Sequence, residues 1–219
     1  MIKWIRYALY LSVLIGVSCS IAGSYEDFFD AVVKNQENAI RALLKRGFDP
    51  NTLAPNGETA LILALREPAL KSISALLESP LTNVELRTAK DESPLMLAAL
   101  RGHFDVCKDL IARDADVNKP GWTPLHYAAT AGHAKIVQLL VDHHAYIDSA
   151  SPNGSTPLMM AAMYGTAEAV KVLLDAGADP LIKNGLGLTA IDFASQVQRD
   201  DVAALIAAAV ASQRNNGVR

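Results

Sequence analysis

Cysteine is nearly missing from this chain: its 219 residues include only Cys19 and Cys107. No C-x-x-C pair and no H-E-x-x-H stretch occurs, so the common thiolate and helical zinc arrangements are not written here. Aromatic residues make up only 6%. Neither sign of charge dominates: 20 Lys and Arg stand against 23 Asp and Glu, a formal net charge of -3, which leaves no basic footprint for nucleic acid. No apolar run reaches the roughly 20 residues needed to cross a bilayer. The nearest approach is Tyr7–Val17. Apolar residues are nonetheless plentiful at 51%, enough for a packed core, and the length suits one sizeable domain or two small ones.

The first residues, "MIKWIRYALYLSVLIGVSCSIAG", carry Lys3 and Arg6, then the Tyr7–Val17 run, then small residues, with no acid before Glu26. A basic end, a short greasy middle and a small-residue tail are the order of a secretory signal peptide, so residues 1–22 are expected to be removed near Ala22. A retained anchor and a lipidated Cys19 are the alternatives. Gly16 stands where a lipidation site usually has Leu. Without Lys3 and Arg6, two of the 20 basic residues, the balance becomes 18 against 23, a net -5. Cys107 is then the remaining thiol, with no internal disulfide available.

What is there in abundance is one phrase. "GWTPLHYAATAGH", residues 121–133, returns in altered form along the chain. Aligned on the hydroxyl residue that opens it, the copies begin at Thr59, Ser93, Thr123, Thr156 and Thr189, spaced by 34, 30, 33 and 33 residues. Each position makes physical sense. Thr123 is suited to accept a backbone N–H and start a helix. Pro124 follows where its missing N–H is harmless. Leu125, Ala128 and Ala129 share one face, and the alanines allow close approach. Gly132 is suited to end the helix in a left-handed conformation. Ile136, Val137, Leu139 and Leu140 form the apolar face of a second helix. One such pair cannot bury its own apolar side, so copies must stack.

A period near 33 with "TPLH"-like text resembles the ankyrin-repeat family from about Tyr25 to Val210. "GWTPLHYAATAGHAKIVQLLVDHHAYID" and "GSTPLMMAAMYGTAEAVKVLLDAGADP" carry the resemblance most fully. It implies an all-α solenoid of about six helix-turn-helix repeats with β-turn or hairpin fingers over residues 23–213. The six repeats run roughly over 25–55, 56–89, 90–118, 119–150, 151–183 and 184–213. Residues 214–219 are expected to be a disordered tail. Repeat one and repeat six serve as caps.

Departures from the repeat predict local features. The 30-residue spacing removes three residues near "DVNKPGW", so that finger is shortened, with Lys119, Pro120 and Gly121 in a tight turn. Pro68 is expected to end the first helix of repeat two. Asp114 and His144 fall where Gly47 and Gly177 stand after the second helix, so strain is expected at both. Only His126 fills the histidine slot of the phrase. Ile62, Met96, Met159 and Asp192 replace it, which predicts that its side-chain bond is mostly lost. Cys107 aligns with Val137 and Val170 and reads as a buried, inert residue.

The chemistry-bearing residues give weaker signals. His126, His133, His143 and His144 share repeat four, but two of them are repeat positions and two are adjacent at a helix end. No metal and no cofactor is expected. "NGLGLT" at residues 184–189 lacks the lysine of a phosphate loop and reads as a finger turn. Asn153, Gly154 and Ser155 spell both a glycosylation acceptor and a turn. No nucleophile, base and orienting acid can be assembled from the pattern.

Function should therefore lie in residues that the scaffold does not dictate. In the family the usual docking face is formed by finger turns and the flank of each first helix. Across repeats three to five that face offers Leu100, Arg101, Trp122, Met163 and Tyr164, the expected partner-binding patch. The local alternative for Trp122 is to fold over the shortened finger. The resemblance implies a non-catalytic, exported protein-binding module, periplasmic in a Gram-negative bacterium. An inhibitor or immunity-type partner of a basic toxin or enzyme is one alternative. An oxidant- or metal-protection protein acting through Cys107 and the histidines is another.

Overall fold

The structure, a computed structural model, describes residues 23–67 and 69–216. The expected signal segment 1–22, Cys19 with it, lies outside the described residues, as do Pro68 and residues 217–219. Among the described residues there are twelve helices and no strand. They fall into two compact bodies, one ending at Thr88 and the other beginning at Ala89.

The first body contains α1 (23–33), α2 (Glu37–Lys45), α3 (Ala60–Arg66) and α4 (Leu70–Leu77). Helix α4 packs on both α2 and α3. Its core is Phe28, Val32, Ile40, Leu61, Ile62, Leu65, Ile73 and Leu76, all at helical spacing. Phe28 also lies against Phe48, their ring centres 4.3 Å apart. Glu67, the residue before Pro68, is extended at φ -99° and ψ 160°, and α3 ends there as a following proline requires.

The second body contains α5 (Pro94–Arg101), α6 (Phe104–Ile111), α7 (Pro124–Ala131), α8 (Ala134–Asp142), α9 (Pro157–Tyr164), α10 (Ala167–Asp175), α11 (Ala190–Gln196) and α12 (Asp200–Asn216). Two rows result. Helices α5, α7, α9 and α11 pack successively in one, and α6, α8, α10 and α12 in the other. Each repeat joins a member of one row to a member of the other. Ala98, Ala128, Ala161 and Ala194 are fully buried where the first row packs most closely. Cys107 is fully buried with Val137 and Val170, as the repeat alignment requires. Helix α12 reaches Asn216, three residues into the 214–219 segment expected to lack structure.

The caps follow the sequence. Thr59, Ser93, Thr123, Thr156 and Thr189 each accept the backbone N–H three residues on. The histidine slot corrects an expectation. The thioethers of Met96 and Met159 accept the N–H of Ser93 and Thr156, each at 3.4 Å. The Asp192 carboxylate accepts the N–H of Thr189 at 2.7 Å and its hydroxyl as well, which holds Asp192 below the usual carboxylate range. The helix-start bond is therefore retained in several chemistries, because thioether and carboxylate both supply acceptors at that reach. What only His126 adds is a second nitrogen.

Two glycines show why this residue recurs. Gly132 ends α7 at φ 73°. Gly165 at the end of α9 is not left-handed; a Cβ there would run into the carbonyl oxygen of Ala129. Asp114 (φ 61°) and His144 (φ 64°) do adopt the left-handed conformation without being glycine. Their N–H groups and those of Ala115 and Ala145 bond back to α6 and α8 as the Gly177 and Ala178 N–H groups do to α10.

Fingers join successive repeats. Ala54 N–H donates to Glu58 O at 2.8 Å, Ser151 N–H to Ser155 O at 3.0 Å, and Asn184 N–H to Leu188 O at 3.0 Å, closing three short hairpins. In the shortened finger the register match for Ser149, Ala150 and Ser151 is missing, and with it the strand N–H that would close the hairpin. Gly121 still turns at φ 75°.

Candidate functional site

The shortened finger sits beside the flank of α5 and α7, and the sequence-selected residues gather there in part. Leu100, at the last turn of α5, is 37% exposed. Trp122 is half-buried just before the Thr123 cap. Both line a shallow hollow of about 200 Å³ together with Tyr127 and Thr130 of α7. Arg101 is exposed one residue beyond Leu100. Met163 and Tyr164 hold the same repeat positions on α9 that Thr130 and Ala131 hold on α7. Met163 is half-buried and Tyr164 is 59% exposed. The hollow's walls thus take in Leu100 and Trp122, and not Arg101, Met163 or Tyr164, which continue the flank around it.

Trp122 is held from two sides. Its ring meets the His126 imidazole edge-on, the centres 5.3 Å apart. Its carbonyl accepts the Lys119 ammonium at 3.2 Å. The Trp122 ring therefore packs locally and faces the hollow at the same time. Tyr127 was not selected from sequence, and Thr130, although at a flank position of the repeat, was left out of the expected patch. Their signal was the i, i+3 spacing on the exposed side of α7, one turn from a tryptophan. The Tyr127 hydroxyl donates to Glu92 at 3.3 Å, and Thr130 donates to the His126 carbonyl at 2.7 Å. Both polar tips are thereby turned away from idle exposure, leaving an apolar wall.

The histidines have separate tasks. His126 is fully buried. Thr123 N–H donates to its Nδ1 at 3.2 Å, so Nδ1 is the acceptor and Nε2–H donates to Ser155 O at 3.0 Å. Burial pushes this imidazole down to about 4; the carbonyl bonds oppose the shift and the Lys119 charge adds to it. His133 Nε2 lies 3.2 Å from Leu100 O. Thr166 Oγ1 donates to Gly132 O at 2.9 Å, and Arg199 donates to Ala161 O and Ala162 O at 3.1 and 3.0 Å. One register position thus satisfies the exposed helix-end carbonyls of the preceding repeat, a ladder not visible in the sequence because three residue types build it. His103 falls below the ordinary histidine range through burial, with the Arg101 charge and His133 adding to it. His143 and His144 are exposed at the end of α8. Among the described residues no group of three His, Cys, Asp or Glu could hold a metal ion.

Burial pushes the Cys107 thiol up to about 12. Asn184 Oδ1 accepts the N–H groups of Leu186 and Leu188, and Asn153 Oδ1 that of Ser155, so both stretches are finger turns. Among the described residues no helix is long and apolar enough to cross a membrane.

Comparison with known proteins places this geometry. Residues 28–120 and 81–151 match a family model of ankyrin repeats in three copies, and residues 146–194 one of ankyrin repeats in many copies. The chain is 33% identical over 178 residues, 78% of its length, to the nuclear factor NF-kappa-B p105 subunit of Gallus gallus. It is 30% identical over 161 residues, 70% of its length, to the B-cell lymphoma 3 protein homolog of Mus musculus. A 105-residue stretch, 46% of the chain, is 41% identical to human ankyrin repeat and KH domain-containing protein 1. The chain spans only 18%, 36% and 4% of these three relatives. A crystal structure of an ankyrin repeat domain from Acinetobacter baumannii AYE matches with a TM-score of 0.72 at 24% identity, over 83% of this chain and 96% of that one.

Proposed function

Because this chain belongs to the ankyrin-repeat family, whose repeats are a general protein–protein interaction module, we propose that it is a non-catalytic binding protein. It docks a partner protein on the face that includes Leu100, Arg101, Trp122, Met163 and Tyr164. The observation that carries this reading is the hollow of Leu100, Trp122, Tyr127 and Thr130. An apolar recess at the surface, rimmed by Trp and Tyr, is the kind of feature that gains most from leaving water. Binding is by a pre-formed surface, without chemistry, and needs no cofactor or metal.

The export signal in residues 1–22 makes the protein periplasmic if the source is Gram-negative, with secretion or membrane anchoring as the alternatives. The net charge of -5 without Lys3 and Arg6 suits a basic target, which favours an inhibitor or immunity-type role among binding functions. Burial of Cys107 weighs against an oxidant-protection role.

The test is affinity capture from the native exported fraction with the unaltered protein and with W122A/Y164A. The double variant is expected to lose the partner while its far-UV circular dichroism and unfolding midpoint stay close to the original. Capture that survives both changes removes this patch as the docking face. Recovery of the unprocessed chain in the cytoplasm removes the export reading.

A further inference from the structure

The shortened finger raises a structural problem that one side chain solves. In the finger before α9, Ser151 N–H and the His126 imidazole both bond to Ser155 O. Trp122 O is the same atom one repeat earlier. Its strand donor is missing, because the residues that match Ser149–Ser151 are not in the chain. Left so, Trp122 would have a polar backbone group half-buried without its partner, at the edge of an apolar hollow.

Lys119 fills that place. Its side chain is only 5% exposed. Its ammonium lies 3.2 Å from Trp122 O, 3.0 Å from Pro120 O and 2.6 Å from the Asp91 carboxylate. An ammonium has three N–H donors, and three acceptors surround this one. Asp91 is the more exposed partner, and it takes a left-handed conformation at φ 62°. Lysine is seldom found this deep unless paired.

We propose that Lys119 is a positioning residue for Trp122: its ammonium replaces the backbone donor lost with the three finger residues and fixes the tryptophan in the wall of the hollow. That this matters for docking rests on the binding reading above. The shortening and the lysine act together. The missing residues are those that would extend the finger beside Trp122, and the lysine keeps the finger ordered without them. Lys119 therefore determines the shape of the recess without facing a partner itself.

The test reads Trp122 directly and needs no partner, so its failure is distinct from failure of the docking face. In a W4F background Trp122 is the only tryptophan. K119M keeps the aliphatic stem and removes the donors. It is expected to red-shift the emission and to raise the acrylamide quenching constant at least two-fold. K119R keeps donors and charge and is expected to restore both toward the original. The decisive variant inserts Ser-Ala-Ser between Asn118 and Lys119, which returns the strand donor. In that longer chain K119M should leave Trp122 emission and quenching unchanged. Equal quenching of the W4F protein and its K119M derivative overturns the proposal. So does K119R behaving like K119M, or K119M disturbing Trp122 equally in the lengthened finger. Should K119M alone fail to fold, K119R and the lengthened K119M chain still decide between these outcomes.

Discussion

Acid should weaken this fold chiefly through one ring, with the less depressed His103 adding a smaller share, and the size of the main effect follows from where His126 sits. The neutral imidazole performs two tasks at once: Nδ1 accepts from Thr123 N–H, and Nε2–H donates to Ser155 O. Protonation puts a hydrogen on Nδ1, facing the Thr123 N–H that it should accept. The folded-state value near 4 lies below the ordinary 6.5. The unfolded chain therefore takes up this proton first. Stability from His126 is complete above pH 6.5, declines as pH falls below that value, and levels off below about 4. Across that window the loss is about 3 kcal/mol, since each pH unit between the two values contributes about 1.4 kcal/mol.

The control is written in the chain itself. Met96 and Met159 occupy the same slot and take the cap N–H through sulfur. H126M should therefore fold, weaker at pH 7.5 by about 1–2 kcal/mol for the lost bond to Ser155 O. It should have no share in the histidine's acid response. Urea unfolding followed by circular dichroism at half-unit steps from pH 7.5 to 4.5 measures both. The stability gap between the two proteins should shrink steadily on acidification, and H126M should approach or pass the original. Asp148 and the other carboxylates are common to both proteins and cancel in the difference. Parallel curves with a constant gap would refute the argument, because they would mean that the imidazole is protonated equally in both states.

Three further outcomes follow from single side chains. Asn118 accepts Tyr146 N–H and donates to His144 O, both at 2.8 Å, while the matching Asp148 accepts only Asp179 N–H. D148N should add the donor bond and stabilise by about 1 kcal/mol in urea. Burial, opposed by the Asp179 N–H and helped by the Asp179 charge, holds Asp148 above the ordinary range. The original should therefore gain on D148N as pH falls through the Asp148 titration. H144G relieves a left-handed strain of about 1–2 kcal/mol against a glycine entropy cost of about 0.5–1 kcal/mol, and should raise the unfolding free energy by the difference, about 0.5–1 kcal/mol; a loss would mean that the αL position is not strained. Cys107, buried with its thiol near 12, should resist a thiol reagent in the native protein and react fully in urea. Rapid native labelling would mean that the second body opens locally.

Reading the sequence alone was enough for the helix pairs. Thr123, Pro124, the alanines and Gly132 each act within a few residues of their own position, and local chemistry is what a lone sequence records. The left-handed Asp114 and His144 were legible for the same reason, by comparison with Gly47 and Gly177. The histidine slot was misread because residue type was taken for function. Methionine and aspartate reach the same N–H from the same Cβ direction. The site was only half legible. Leu100 and Trp122 were found because they are large and unexplained by the repeat. Thr130 falls at the same flank position as Leu100 and Met163 but, being small and polar, was left out of the patch; Tyr127 was missed because its place in the hollow depends on which side of α7 faces the shortened finger.

The sequence by itself determined a row of helix pairs, their caps and their need to stack, because a period near 33 repeats one set of local instructions. Only the tertiary structure decided how the copies touch. His133, Thr166 and Arg199 reach carbonyls in the repeat before them, and Lys119 draws together Asp91, Pro120 and Trp122. The bonds between repeats depend on where a carbonyl 33 to 38 residues away, or for Lys119 the Asp91 carboxylate, comes to lie, and no spacing along the chain fixes that until the helices have packed.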